Sequence, residues 1–210
     1  MASSAVEDSL ADALESRSDR EISILRAAYH VMARSGSNRL NLQDIADRAG
    51  VSKGLILYHF QSKATVLQHA MQWALLETAR RIRASINAAD DPSDRLGRLL
   101  DAIFVSAQAN RDFQLVYLDL IEHSVREEAF AELPAMTREI IEELYADVVR
   151  AGVADGAFDV EDPDEAALLM RVLIDGTFLQ WLQRPDWESS HGEFRFRCQA
   201  QLERVLGVRG

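Results

Sequence analysis

A single cysteine, Cys198, occurs in 210 residues. One thiol closes no internal disulfide and builds no thiolate cluster, which excludes a small disulfide-stapled scaffold and fits a reducing compartment such as the cytoplasm. Proline is scarce as well: the four residues fall at Pro92, Pro134, Pro163 and Pro185, leaving long stretches in which helices can run unbroken. No apolar run approaches the roughly 20 residues that span a bilayer. The segment Met1 to Ser18 sets Glu7, Asp8, Asp12 and Glu15 against Arg17 alone, so it has neither the basic start nor the apolar stretch of a signal peptide. A cytoplasmic protein with no membrane partner is expected. Missing too are the Gly-x-Ser-x-Gly elbow, the P-loop, the dinucleotide glycine pattern and the His-Glu-x-x-His zinc helix. His123 beside Glu122 and His191 near Glu193 are pairs without a third partner or a nucleophile at recognisable spacing. The chain is therefore not expected to be an enzyme, and nothing in it calls for a cofactor or a metal.

What is present is ordinary globular material, 48% hydrophobic and 27% charged, with charge unevenly placed. The net charge of −11 argues, taken whole, against a nucleic-acid partner. From Asp19 to Thr65, however, seven basic residues (Arg20, Arg26, Arg34, Arg39, Arg48, Lys53, Lys63) face four acidic ones, and the acidic excess lies outside that stretch. A basic front on an acidic body is what a protein needs when one end meets phosphate and the other does not. Chance clustering of surface charge is the alternative.

Helical periodicity dominates and strand signals are nearly absent. Ser18 and Glu21 read as a capping box, after which Ile22, Leu25, Tyr29 and Met32 repeat at helical spacing until Gly36. Asn41 caps a short helix through Arg48, and Ser52 caps another through about Phe60. Ser62 opens a long fourth helix. The prolines then separate helices at about 93–109, 111–129, 134–151 and 163–183, and a last one runs from about Glu188 to Leu206. The expected fold is all-α, about nine helices, in three parts: a disordered leader (1–18), a three-helix head (19–65) and a larger helical body (66–210).

The informative stretch is Leu42 to Phe60, LQDIADRAGVSKGLILYHF. Two short helices cross closely only where the contact is small and the turn tight; Ala46 supplies the first and Gly50 the second. Ile45, Ala49, Val51 and Ile56 form the little core beneath. With the second helix starting at Ser52, Ile56 and Phe60 point inward together while Gly54, Leu55, Tyr58 and His59 point outward. Such an outward face suits a DNA groove better than water. Gly54 admits close approach, Leu55 can touch a thymine methyl, and Tyr58 and His59 can bond phosphate or a base edge. Lys53 and Lys63 supply charge, Asn41 and Ser52 sit at helix N-termini, and Gln43 can reach a base.

With Asp44-Ile45-Ala46, Ala49-Gly50-Val51-Ser52-Lys53-Gly54, Tyr58-His59-Phe60 and Ser62-Lys63, the stretch from Ile22 to Leu67 resembles the DNA-binding domain of the TetR family of bacterial transcription regulators. The resemblance covers about the first third of the chain. It implies a homodimer, a helical body that binds a small effector, release from double-stranded operator DNA on effector binding, and DNA-facing roles for Asn41, Gln43, Ser52, Lys53, Gly54, Leu55, Tyr58, His59 and Lys63. Two positions depart from the family pattern: Asn41 stands where threonine is usual, keeping a capping acceptor, and Leu57 replaces the first of an aromatic pair before His59.

The helix from Ala166 to Phe178 is apolar nearly all round and so must be covered on both sides. One covering is the same helix of a second subunit, with Leu168, Leu169, Val172, Leu173, Phe194, Cys198, Leu202 and Val205 forming an isologous four-helix contact; the other is a central core helix of a monomer. Dimerisation would place two recognition helices one turn of B-DNA apart on a palindromic operator. For the effector, Trp73, Phe104, Phe113, Tyr117, Tyr145, Phe178 and Trp181 are the aromatic candidates, and Arg111, His123 and Arg171 the polar ones. The acidic excess of the body points to a cationic effector or is an ordinary solvated surface. The expected function is a TetR-like repressor. The alternatives are a helical adaptor or small-molecule-binding protein whose helix-turn-helix only packs, and a hydrolase without recognisable motifs.

Overall fold

The computed structural model describes residues 5–89, 91 and 94–208. Its described residues form ten α-helices: α1 (Ala5–Glu15), α2 (Asp19–Ser35), α3 (Leu42–Ala49), α4 (Lys53–Phe60), α5 (Lys63–Asn87), α6 (Arg95–Ile103), α7 (Ala107–Arg126), α8 (Leu133–Ala154), α9 (Pro163–Leu182) and α10 (Trp187–Val205). A short 3-10 turn at Glu128–Phe130 lies between α7 and α8. The all-α expectation holds, with one helix more than anticipated.

Residues of the chain divide into two compact units, one holding Ala5–Glu77 and Asp112–Arg138, the other Thr78–Arg111 and the chain from Glu139 onward. The first unit is thus larger than the 19–65 head read from the sequence. In it α3 packs on α2 and on α4. Ile24, Ala28, Ile45, Ala46, Ile56, Val66, Ala70 and Val116 are fully buried there. In the second unit α10 packs on α9 and α6, and Leu99, Leu100, Leu144, Val149, Met170, Trp181 and Leu202 are buried.

The helix starts follow the caps. Ser18 and Glu21 make the reciprocal capping box at the start of α2, and the Ser62 hydroxyl accepts the Thr65 N–H at 3.1 Å. At α9 the Asp162 carboxylate accepts from the backbones of Asp164 and Glu165, with Pro163 in the first turn, where a missing N–H costs nothing.

Three expectations need correction. The leader is not disordered over Ala5–Glu15: it is helical, with Leu10 and Leu14 buried on one face; Met1–Ser4 lie outside the described residues. Val6, Leu10 and Leu14 recur every fourth residue, a pattern hidden by the acids interleaved with them, of which Glu7 is itself buried. Second, the helix expected at about 93–109 stops at Ile103. Ser106 starts α7 instead, its hydroxyl accepting the Ala109 N–H at 3.2 Å, while the buried Asn110 amide donates to the Ile103 carbonyl at 2.7 Å and satisfies the end of α6. The expected break at Pro92 and Ser93 falls outside the described residues. Third, of the four residues expected beneath the helix crossing, Ile45 and Ile56 are buried, but Ala49 and Val51 are only half-buried; Ala46, where the two helices cross, is wholly buried.

Candidate nucleic-acid interface

α3 opens on a second reciprocal box. The Asn41 side-chain oxygen accepts the Asp44 N–H at 3.0 Å, and the Asp44 carboxylate accepts the Asn41 N–H at 3.1 Å. The helix ends at Gly50, which adopts the left-handed conformation (φ 66, ψ 38) and donates its N–H to the Ala46 carbonyl. Nothing lies within 4 Å of where a β-carbon on Gly50 would stand. The need for glycine there is one of backbone torsion alone, so Gly50→Ala is expected to destabilise the protein by about 1–2 kcal/mol, measured by denaturant unfolding.

The turn delivers the chain to Ser52, whose hydroxyl accepts the Leu55 N–H at 3.1 Å and starts α4. Ile56 and Phe60, one turn apart, are 0% and 1% exposed and fix the inner face of this helix. Lys53, Gly54 and Tyr58 are exposed on the other side, while Leu55 and His59 are half-buried at its margins. Tyr58 is 81% exposed, although an aromatic ring is ordinarily covered, and Leu57 is exposed beside it at 38%. Gly54 has no positive φ, and the nearest side-chain atom to an added β-carbon would be the Ser52 hydroxyl at 3.8 Å. The subunit itself makes no demand for glycine here, while a helix-interior glycine costs about 0.5–1 kcal/mol relative to alanine.

Behind α4, Arg17 lies over the Phe60 ring at 5.4 Å and its guanidinium bonds the Glu21 carboxylate at 3.2 Å. Glu21 stands 3.8 Å from the His59 imidazole. Burial works to raise the Glu21 carboxyl, but hydrogen bonds from Ser18, with Arg17 and His59 nearby, hold it below its ordinary range. The end of α4 is thus tied to the start of α2, with Arg17 joining the two.

The nine sequence-read DNA residues, which span Asn41 to Lys63, differ in their freedom. Asn41 and Ser52 are committed to capping. Lys53 and Tyr58 extend into solvent, and Lys63 is half-buried. The Gln43 amide donates to the Asp47 carboxylate one turn on, at 2.6 Å; reasoning from the sequence missed that partner, although Gln and Asp four residues apart are its signal.

The effector candidates are shared between the two units. Trp73, Phe113 and Tyr117 belong to the first unit; Phe104, Tyr145, Arg171 and Phe178 belong to the second. Phe104 stacks on Phe178 at 4.5 Å between ring centroids, and Phe178 meets Trp181 edge-on at 6.0 Å. Arg171 is paired with Asp175 at 2.6 Å, and Arg111 lies over Trp187 at 4.9 Å.

The expected dimer residues divide as well. Leu168, Leu169 and Val172 are exposed at 43%, 42% and 61%. Leu173 and Phe194 are half-buried, and both line an open apolar groove of about 360 Å³ between α9 and α10. Leu202 is 0% exposed and lies inside the single subunit, whereas Cys198, 1% exposed, belongs to the wall of that same groove.

His123 does have further partners. The Ser37 hydroxyl lies 2.6 Å from its Nε2, the Glu127 carboxylate lies 2.5 Å from its Nδ1, and the Ser37 N–H donates to Asp119 at 2.7 Å. Serine, imidazole and carboxylate stand in the order of a hydrolytic relay. Ser37 is 1% exposed, however, so no substrate reaches its hydroxyl. The network ties the loop after α2 to α7. Among the described residues no group of three or more His, Cys, Asp or Glu could hold a metal ion, and no helix is long and apolar enough to cross a membrane.

Known proteins resemble the chain over both units. Residues 24–70 match the family described as bacterial regulatory proteins, tetR family. Residues 92–207 match that described as BetI-type transcriptional repressor, C-terminal. The HTH-type transcriptional repressor KstR2 of Rhodococcus jostii is 28% identical over 148 residues, 70% of this chain and 72% of that one. The HTH-type transcriptional regulator TtgR of Pseudomonas putida is 29% identical over 184 residues, 82% and 84% of the two chains. Among solved structures, a protein from Saccharomonospora viridis described as a transcriptional regulator in complex with choline superposes with a TM-score of 0.81 at 27% identity, covering 92% of this chain and all of that one.

Proposed function

The chain belongs to the TetR family of ligand-responsive, DNA-binding transcription regulators, and on that premise we propose that it is a cytoplasmic repressor that grips a palindromic operator as a homodimer and lets go when a small effector binds. The observation that carries the DNA reading is the outer face of α4, where a wide-open Tyr58 stands beside an unneeded Gly54 and an exposed Lys53. With α4 in the major groove, Tyr58 and His59 contact phosphate or base edges, Leu55 meets a thymine methyl, and Lys53 and Lys63 neutralise phosphates. Two copies one helical turn apart, about 34 Å, give the operator its twofold symmetry.

Residues 66–210 would bind effector and partner. Acidic residues outnumber basic ones after Thr65, and the similar Saccharomonospora viridis protein was solved with choline. Both support a small cationic effector. Effector and operator must favour different conformations by a few kcal/mol for one to displace the other.

The experiment is a gel shift of the purified protein on its own upstream DNA over a range of salt. A regulator shifts that fragment with steep salt dependence, whereas an adaptor leaves it free. Replacing Lys53 and Lys63 together by Ala should weaken binding to every duplex and flatten the salt slope by about one unit for each phosphate left without its lysine. An unchanged slope would contradict the placement of α4.

A further inference from the structure

We infer that Asp47, through its hydrogen bond to Gln43, decides which base pair Gln43 reads; the inference rests on the operator-binding reading above. Gln43 and Asp47 stand one turn apart on α3, both exposed to solvent. The Gln43 Nε2 lies 2.6 Å from the Asp47 Oδ1. A carboxylate has no hydrogen to give, so the amide nitrogen must face Asp47, and the carboxamide cannot present its other orientation without losing this bond.

Consider what that leaves for DNA. A carboxamide carries two N–H donors and one carbonyl acceptor. With one N–H spent on Asp47, the outward edge offers one donor and one acceptor. Adenine shows the complement in the major groove, the N7 acceptor beside the N6 donor. Guanine shows two acceptors, O6 and N7, and asks for two donors. A free glutamine amide could turn both hydrogens toward them; one held by Asp47 has a single hydrogen left. Asp47 thus favours adenine over guanine without touching either base, as a positioning residue acting through Gln43. Its own charge works against affinity, because a carboxylate beside phosphates is repelled.

The test is selection from a random duplex pool by the full-length protein and by Gln43→Ala, Asp47→Ala and Asp47→Asn. The unaltered chain should enrich adenine over guanine on the order of tenfold at one position per half-site. Gln43→Ala should erase that preference. Asp47→Ala should reduce it to about twofold and leave the other positions alone. Asp47→Asn has no charge but retains a carbonyl to accept the Gln43 N–H, so it should keep the adenine preference while binding all duplexes more tightly, as Asp47→Ala also should. That split separates orientation from electrostatics. Adenine preference intact in Asp47→Ala or in Gln43→Ala, lost in Asp47→Asn as fully as in Asp47→Ala, or shifted to a different base pair overturns the inference. An unaltered protein that enriches no sequence overturns the operator reading itself, which is a distinct failure.

Discussion

Val172→Glu is expected to leave a folded subunit, abolish the dimer and lower operator affinity by at least about 100-fold, the avidity that joining two half-site contacts supplies. Val172 is 61% exposed, and Leu168, Leu169 and Leu179 lie exposed along the same helix. Beside them runs the α9–α10 groove with Leu173, Gly176 and Phe194 in its wall. A carboxylate at an exposed position costs the single subunit little. In a twofold contact each subunit's carboxylate is desolvated against the partner's apolar face, and each costs several kcal/mol against association. Sedimentation gives the oligomeric state, thermal unfolding the integrity of the fold, and a gel shift the affinity. A Val172→Glu protein that remains a dimer and binds DNA unchanged would place the twofold contact elsewhere.

Which α10 residues take part in that contact was only half legible. Phe194, Cys198, Leu202 and Val205 recur at helical spacing, and a stripe of that kind says that a face is covered without saying by what. The structure places Leu202 inside the subunit and Cys198 in the wall of the α9–α10 groove. Burial also pushes the Cys198 thiol up, ahead of the opposing effects of Thr177 and Arg195, so it stays protonated and unreactive near neutral pH. Aromatic identity is as ambiguous: Phe104 and Phe178 stack on each other in the core of the second unit, and nothing in the identity of an aromatic residue tells a packed ring from one lining a cavity.

The head was far more legible because its determinants are local. A cap requires one side chain three residues from the N–H it accepts, and the boxes at Ser18 and Asn41 and the caps at Ser52 and Ser62 all form as their spacing implies. The left-handed turn at Gly50 is likewise a property of one residue. What escaped was whatever depends on a distant neighbour. α1 is stable because Leu10 and Leu14 find cover, and α6 ends where Asn110 reaches back to the Ile103 carbonyl. Ser37 and His123, eighty-six residues apart, meet only in the fold.

Acid should destabilise the protein more steeply than its carboxylates alone would, and His69 is the residue responsible for much of the excess. It sits on α5 against Phe60, ring centroids 6.0 Å apart, and its buried Nδ1 finds no hydrogen-bond partner among the described residues. Burial, helped by Arg17 and opposed by Glu21, drops the imidazole from 6.5 to about 4. A folded value below the unfolded one means that the unfolded chain binds the proton first. Stability from this site is therefore complete above about pH 6.5, drains away as the pH falls toward 4, and is exhausted below that. A displacement of this size corresponds to at most about 3.4 kcal/mol, and to less for an imidazole that is only half-buried. His30 and His191 shift the same way, each chiefly through burial, and add to the slope. His69→Gln removes the titration while leaving every carboxylate in place, so the difference between the two acid limbs isolates the histidine. Denaturant unfolding at pH 7 and at pH 4.5 should show the gap between the two pH values shrink by about 2 kcal/mol in His69→Gln. Parallel curves for the two proteins would mean that His69 is accessible to protons in the folded state and that the Phe60 face of α5 is looser than its burial implies.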